Sequence, residues 1–362
     1  MKPQLHARRR RNGTKQCSGI TSTERILEKM RDIEPIIEKI RKTVASHRLE
    51  EEGQYTRWTF AFPEGETKRI NEYGVADAAN ILYMTGDFKP DREFRDGFVK
   101  TLKSLQHPDT GLYEEPTHFP THTTAHCIAA LELFDEKPDY PVTALKEELD
   151  IPTLYEYLDT LDWMKDPWHN SHKGAGIYVI QKLTGACTRE WEDAYFKWLW
   201  DNEDPETGLW RKGFVGNPES VPNFHHMAGT FHYMFNHEYA SKKLHYPEKI
   251  IDTNLDMYYN HKLTKRFGKE CNFMEIDWIF CLTRASRQTI HRFQEIKDVL
   301  KEFAEGYFDY FDQADPATDR SFDDLHQLFG ATCAIVELYR ALPGEYSVEK
   351  PLKLVLDRRP FI

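Results

Sequence analysis

A single unit of sequence occurs twice in this chain. His107-Pro108-Asp109-Thr110-Gly111-Leu112-Tyr113 leads into the apolar segment His118 to Phe134, and Asp204-Pro205-Glu206-Thr207-Gly208-Leu209-Trp210 leads into Asn223 to Glu238. Each copy follows a charged, aromatic segment and precedes a Tyr-Pro step, at Tyr140-Pro141 and Tyr246-Pro247. The unit therefore reads as amphipathic helix, tight turn, polar loop and apolar helix, and such self-similarity marks a repeat architecture. In each turn Pro pre-sets one backbone dihedral and Gly supplies the positive φ.

The alternation runs through the whole chain. Charged, one-faced segments lie at about 91–106, 151–164, 188–202, 247–262 and 293–312. Small-residue-rich, nearly uncharged segments lie at about 120–134, 172–184, 225–238, 273–285 and 323–340. Another apolar helix is expected over Glu72 to Met84, closed by Thr85-Gly86, with a charged partner running from Ser22 or Thr23 to about His47 and kinked at Pro35. Anchors near the starts of the apolar segments (Tyr73, His122, His172, His226, Asp277, Asp324) recur at intervals of 47 to 54 residues. A helix with one apolar stripe lies on a surface, and one apolar nearly all round is buried. Six such pairs predict an all-α fold, an (α/α)6 toroid of six helical hairpins with inner and outer rings. No alternating pattern is long enough for a large sheet; Tyr55 to Phe62 is read as a short strand at the rim. The expected division is a disordered basic tail over 1–20, one toroid domain over 21–342, and an extension over 343–362 packed on an outer face.

The net charge of −11 argues against nucleic acid or an anionic membrane as the main partner. The exception is local, Arg8 to Arg11, which is read as solvated tail. No long apolar run suggests a signal or a membrane span. The six cysteines form no C-x-x-C pair, and four lie in apolar segments, as expected of reduced thiols in a cytoplasmic protein.

In the ring geometry the inner helix N-termini open on one face, where unsatisfied N–H groups favour anionic groups. Eight of the sixteen histidines fall there: His118, His122, His126, His169, His172, His225, His226 and His326. Acids (Glu72, Asp77, Glu275, Asp277, Asp323, Asp324) and aromatics (Tyr73, Trp168, Phe224, Trp278) join them, and Tyr113 and Trp210 of the repeated turns can line the same mouth. Asp323 is expected to cap a helix, and His232, alone on an apolar helix, to be a satisfied core residue. His122 and His126, at i and i+4, share a face and could take part in holding zinc. No third ligand follows in sequence, so no cofactor is expected. A mouth of histidines, carboxylates and aromatics suits a polar, ring-shaped ligand.

On these residues the chain resembles the α/α-toroid proteins. DPETGLW followed by HHMAGTFHYMF is similar to the outer-helix, turn and inner-helix succession of the six-hairpin glycosidases, among them the unsaturated uronyl hydrolases. HTTAHCIAALELF looks like an inner repeat of the terpenoid cyclase and protein prenyltransferase branch. The Asp-x-Asp-Asp motif of protonating cyclases is reduced here to Ser321-Phe322-Asp323-Asp324. Asp277, Cys281 and His326 follow the order, but not the spacing, of a prenyltransferase zinc site. The resemblance implies a carbohydrate-active enzyme, hydrolase or lyase, acting on a small oligosaccharide. The alternatives are a cyclase-like enzyme and a non-catalytic ligand-binding toroid. Hydrolysis needs two carboxylates across the scissile bond; the candidates are Asp77, Glu275, Asp277 and Asp324, with His226 and His122 as acid/base or orienting groups. For a lyase, a histidine and Tyr73 take the proton transfers. Tyr73, His118, His122, His126, Trp168, His172, Trp210, His225 and His326 are the expected substrate contacts.

Overall fold

The structure is a computed structural model, and it describes residues 30–362. Arg8 to Arg11, Cys17 and the expected helix start at Ser22 or Thr23 lie outside that range. The described chain is mostly helical, with almost no strand. In order the helices are α1 Glu34–Ser46, α2 Glu72–Met84, α3 Arg92–Ser104, α4 Pro120–Glu132, α5 Ile151–Asp159, α6 Pro167–Thr184, α7 Arg189–Asn202, α8 Asn223–Tyr239, α9 Pro247–Tyr259, α10 Met274–Ala285, α11 Phe293–Gln313, the single turn α12 Arg320–Asp323, and α13 Leu325–Ala341. The only strands among these residues are β1 (Arg31–Asp32) and β2 (Tyr346–Ser347), paired in parallel.

Two sequence expectations change here. Pro35 sits in the first turn of α1 and starts the helix instead of kinking it, because an N-terminal turn has no use for the missing N–H. Tyr55 to Phe62 forms no strand; beyond one isolated bridge between Arg48 and Tyr55 it is an irregular loop.

The two helix types differ in burial as their patterns require. α4 and α13 are buried on nearly every side, whereas α3 buries mainly one face through Phe94, Phe98, Val99 and Leu102. The buried helices touch in succession: α2 on α4, α4 on α6, α6 on α8, α8 on α10, α10 on α13, and α13 back on α2. The more polar helices fill the sides, α3 against α2 and α4, α9 against α10, and α11 against α13 and α1.

The two copies of the repeated turn match bond for bond. Gly111 N–H donates to His107 O at 2.8 Å, and Gly208 N–H to Asp204 O at 2.7 Å. His107 N–H reaches Leu112 O at 2.8 Å, and Asp204 N–H reaches Leu209 O at 2.9 Å. The Tyr113 N–H then donates to Thr124 Oγ1 on α4 (2.9 Å), and the Trp210 N–H to Thr230 Oγ1 on α8 (3.0 Å). Gly111 and Gly208 both have φ near 70°. A side chain at Gly111 would lie 2.2 Å from Pro141 O, and one at Gly208 would lie 2.6 Å from Ile250 N. Each turn is thus clamped between its apolar helix and the chain at the following Tyr-Pro.

Candidate functional site

The N-terminal halves of α2, α4, α6 and α13 bring a histidine cluster together. The Tyr73 ring (α2) lies 4.6 Å from His118, 5.8 Å from His122, 5.3 Å from His126 and 4.4 Å from His326. His122 continues the cluster to His172 on α6 (4.3 Å), and His172 to His232 on α8 (4.5 Å). Beside them is a cavity of about 160 Å³, walled by six histidines (118, 122, 169, 172, 232 and 326) with Trp168, Asn272, Phe273, Gln327 and Ile362. At about 30 Å³ per water this is room for roughly five waters, or one small ring.

Most of these rings are held by a hydrogen-bond partner. The Tyr73 hydroxyl lies 2.6 Å from His122 Nδ1 and 3.1 Å from Thr123 Oγ1. Asp77, fully buried, bridges two imidazoles: Oδ1 is 2.7 Å from His126 Nε2, and Oδ2 is 3.0 Å from His326 Nδ1. Ser171 Oγ lies 2.9 Å from His232 Nδ1. Burial drives His122, His126, His172 and His326 well below the usual imidazole range, and the neighbouring histidines and arginines push the same way. Burial lifts the Tyr73 phenol well above 10 and raises the Asp77 carboxyl, which Arg57 and Arg359 partly pull back.

Arg57, from the irregular loop, forms the roof. It makes a two-pronged ion pair with Asp324 (2.8 and 2.9 Å), donates to Thr117 Oγ1 (2.7 Å), and lies 4.8 Å from the Tyr73 ring centre. Burial alone would raise Glu115, but His118, Arg57 and Thr117 overcome it and hold the carboxyl down at about 2. Asp323 caps no helix; it accepts the N–H groups of Thr59, Phe60 and Ala61 and ties the loop down.

Seven sequence candidates thus meet: Tyr73, Asp77, His118, His122, His126, His172 and His326. Trp168 stands at the edge of the cavity, and His225 flanks it, stacked on Phe224 at 4.1 Å. The other candidates fall elsewhere. His226 faces away, with Nδ1 3.0 Å from Trp210 O and Nε2 2.9 Å from Ser220 Oγ, so it braces the loop after the repeated turn. Trp210 and Tyr113 are fully buried, and the Trp210 indole donates to Leu199 O at 2.8 Å, so neither lines the mouth. Glu275 is buried at the foot of α10, accepting from Gly268 N at 2.7 Å, and burial raises it to about 7. Asp277 is fully buried with no hydrogen-bond partner for either oxygen among the described residues, so burial favours its neutral form. Asp324 is consumed by Arg57 and by capping His326 N–H at 3.0 Å.

Arg57, Glu115, Phe273, Phe361 and Ile362 escaped sequence reasoning. Glu115 alone carried a signal, two residues after the repeated turn. His232 is satisfied, as expected, and also lines the cavity. Asp77, His126 and His326 offer ligand atoms within 4.8 Å of one another and could hold a divalent ion. The buried Arg359 acts on both Asp77 and His126 and opposes a further positive charge there. Comparison with protein-family models, with curated proteins and with solved structures gave no match.

Proposed function

We propose that the chain is an (α/α)6 toroid and a carbohydrate-active enzyme of the lyase kind, which moves protons between histidines and the end ring of a small acidic oligosaccharide. The toroid reading is supported by the closed succession from α2 through α13 back to α2. The observation that carries the chemistry is the opposite tethering of two imidazoles beside one cavity. With Asp77 deprotonated, His326 donates Nδ1–H to it and keeps its Nε2 lone pair, the form of a general base. The Tyr73 phenol, held protonated, donates to His122 Nδ1, so His122 carries its proton on Nε2, the form of a general acid. In β-elimination the His326 Nε2 takes the proton on the carbon next to the substrate carboxylate, the C–O bond one carbon further breaks, a C=C forms, and the His122 Nε2–H protonates the leaving oxygen. No water is consumed.

Hydrolysis is the weaker reading because no carboxylate lines the cavity, whereas that reaction needs two. Cyclisation of an isoprenoid is weaker still, since it calls for apolar aromatic walls and this cavity has six histidines. Trp168 and Phe273 provide faces for a sugar ring, and the Gln327 amide is free to meet a carboxylate.

The test is a panel of uronate-containing oligosaccharides in heavy-oxygen water. A lyase generates the ultraviolet absorbance of a conjugated C=C and incorporates no heavy oxygen. His326→Ala should lower the rate by at least ~10²-fold, within the usual range for a general base. Product carrying heavy oxygen and lacking the absorbance would overturn elimination in favour of hydrolysis.

A further inference from the structure

The segment after β2 was expected on an outer face, and the structure instead runs it into the middle of the molecule. Its short helical turn, Val355–Asp357, touches both α2 and α8, which stand three places apart in the six-membered packing succession and so face each other across it. Arg358 pairs with Glu132 and Asp135 at the C-terminal end of α4. Arg359 is fully buried: its Nε donates to Asn80 Oδ1 on α2 at 2.7 Å, its guanidinium lies over Phe329 of α13, and its Nη1 holds the Phe361 carbonyl. Phe361 meets the ring of His122 on α4 (5.0 Å) and that of Phe235 on α8 (5.4 Å). Ile362 is a wall of the histidine cavity.

The contacts at its two ends set the direction of the path. From Glu132 back to His122, α4 rises about 15 Å. The five residues from Arg358 to Ile362, turned at Arg358 and bent at Arg359 and Pro360, run from the level of Glu132 to that of His122. The segment therefore enters at the C-terminal ends of the buried helices and climbs their axis to the histidines.

We infer that residues 359–362 are an internal plug, which closes the far end of the channel between the six buried helices and turns the histidine site into a blind pocket the size of one ring. The plug sets the access to the pocket and its size, whatever the ligand's chemistry. Arg359 is the latch, reaching α2, α13 and the Phe361 carbonyl together. Phe361 and Ile362 are the stopper.

Diethyl pyrocarbonate, which acylates neutral imidazole nitrogens, reads the plug directly. His122, His126 and two controls are followed by mass spectrometry in the intact chain, in the double variant Phe361→Ala/Ile362→Ala, and in a chain stopped after Arg358. His169, exposed at the mouth, should react at the same rate in all three. His237, buried on the far side of α8 against Phe196, should stay protected in all three. His122 and His126 should react at least tenfold faster in the two altered chains. Unchanged rates at His122 and His126 would overturn the inference. So would His237 becoming reactive in both altered chains, because the segment would then be part of the folding core and not a stopper.

Discussion

At the scale of single residues, the site depends on which nitrogen of each imidazole is tied down. In the proposed mechanism Asp77 accepts from two rings at once, and an amide in its place can accept from one only by donating to the other. Asp77→Asn is therefore expected to leave the helices packed but fix one ring in the wrong tautomer, lowering kcat by about 10² or more while KM changes little. The check is a kcat-against-KM comparison beside a far-ultraviolet spectrum. His226 provides the contrast. Its ring bonds to Trp210 O and Ser220 Oγ, so His226→Ala should cost about 1–3 kcal/mol of stability. Ligand binding at the cavity should be unaffected, and denaturant unfolding beside a titration separates the two. The same contrast shows how far the site was legible in sequence. His122, His126 and His326 could be found because histidines gathered at the starts of apolar segments. His226 shares that position, and only its rotation about the helix axis, set by tertiary packing, turns it to the loop. Glu275 and Asp277 misled for the same reason: acids near a helix start favour the N-terminus, but where they point is decided by neighbours far away in the chain.

At the scale of elements, the repeat was the most reliable signal because one local device builds it twice. The two turns share hydrogen bonds to within about 0.1 Å, and their closing bonds to Thr124 and Thr230 are equivalent. Thr124→Val and Thr230→Val should therefore destabilise by similar amounts, about 1–2 kcal/mol each. Gly208 and Gly344 make a sharper pair. Both have positive φ, but a side chain at Gly208 would strike Ile250 N at 2.6 Å, while one at Gly344 meets nothing within 4 Å. Gly344→Ala should cost about 1 kcal/mol, the conformational part alone, and Gly208→Ala at least twice that. Equal costs in urea unfolding would show that the clamp on the turn yields easily. Alternation of charged and small-residue segments located the helices, and the boundaries strayed where a proline was misjudged. α6 starts at Pro167, five residues before the expected start, because Pro is at home in a first turn. The loop from Glu50 to Arg69 could not be read at all: its shape comes from Asp323 and Asp324, more than 250 residues away.

At the scale of the whole molecule, the dominant fact is how many titratable groups the packing removes from water. Burial holds eight well-buried histidines below their usual range: His47, His122, His126, His172, His226, His232, His237 and His326. Apart from Asp77, which the proposed mechanism uses as a carboxylate between two imidazoles, five well-buried acids are held above theirs: Glu72, Glu203, Glu275, Asp277 and Glu337. The two groups act in opposite directions. A histidine neutral in the fold takes up a proton on unfolding once the pH falls below about 6.5, so its contribution is lost on acidification. A carboxyl kept protonated in the fold loses its proton on unfolding above about 4.5, so its contribution is lost as pH rises toward its folded value. Between about pH 5 and 6.5 both operate, and the histidines, the more numerous group, prevail. The melting temperature should therefore fall as pH drops from 7 toward 5, with a net uptake of protons on unfolding measured by denaturant titration across that range. A melting temperature that is flat or rises on acidification would mean that the histidine cluster is already charged in the fold, and the neutral base and neutral acid on which the proposed elimination depends would go with it.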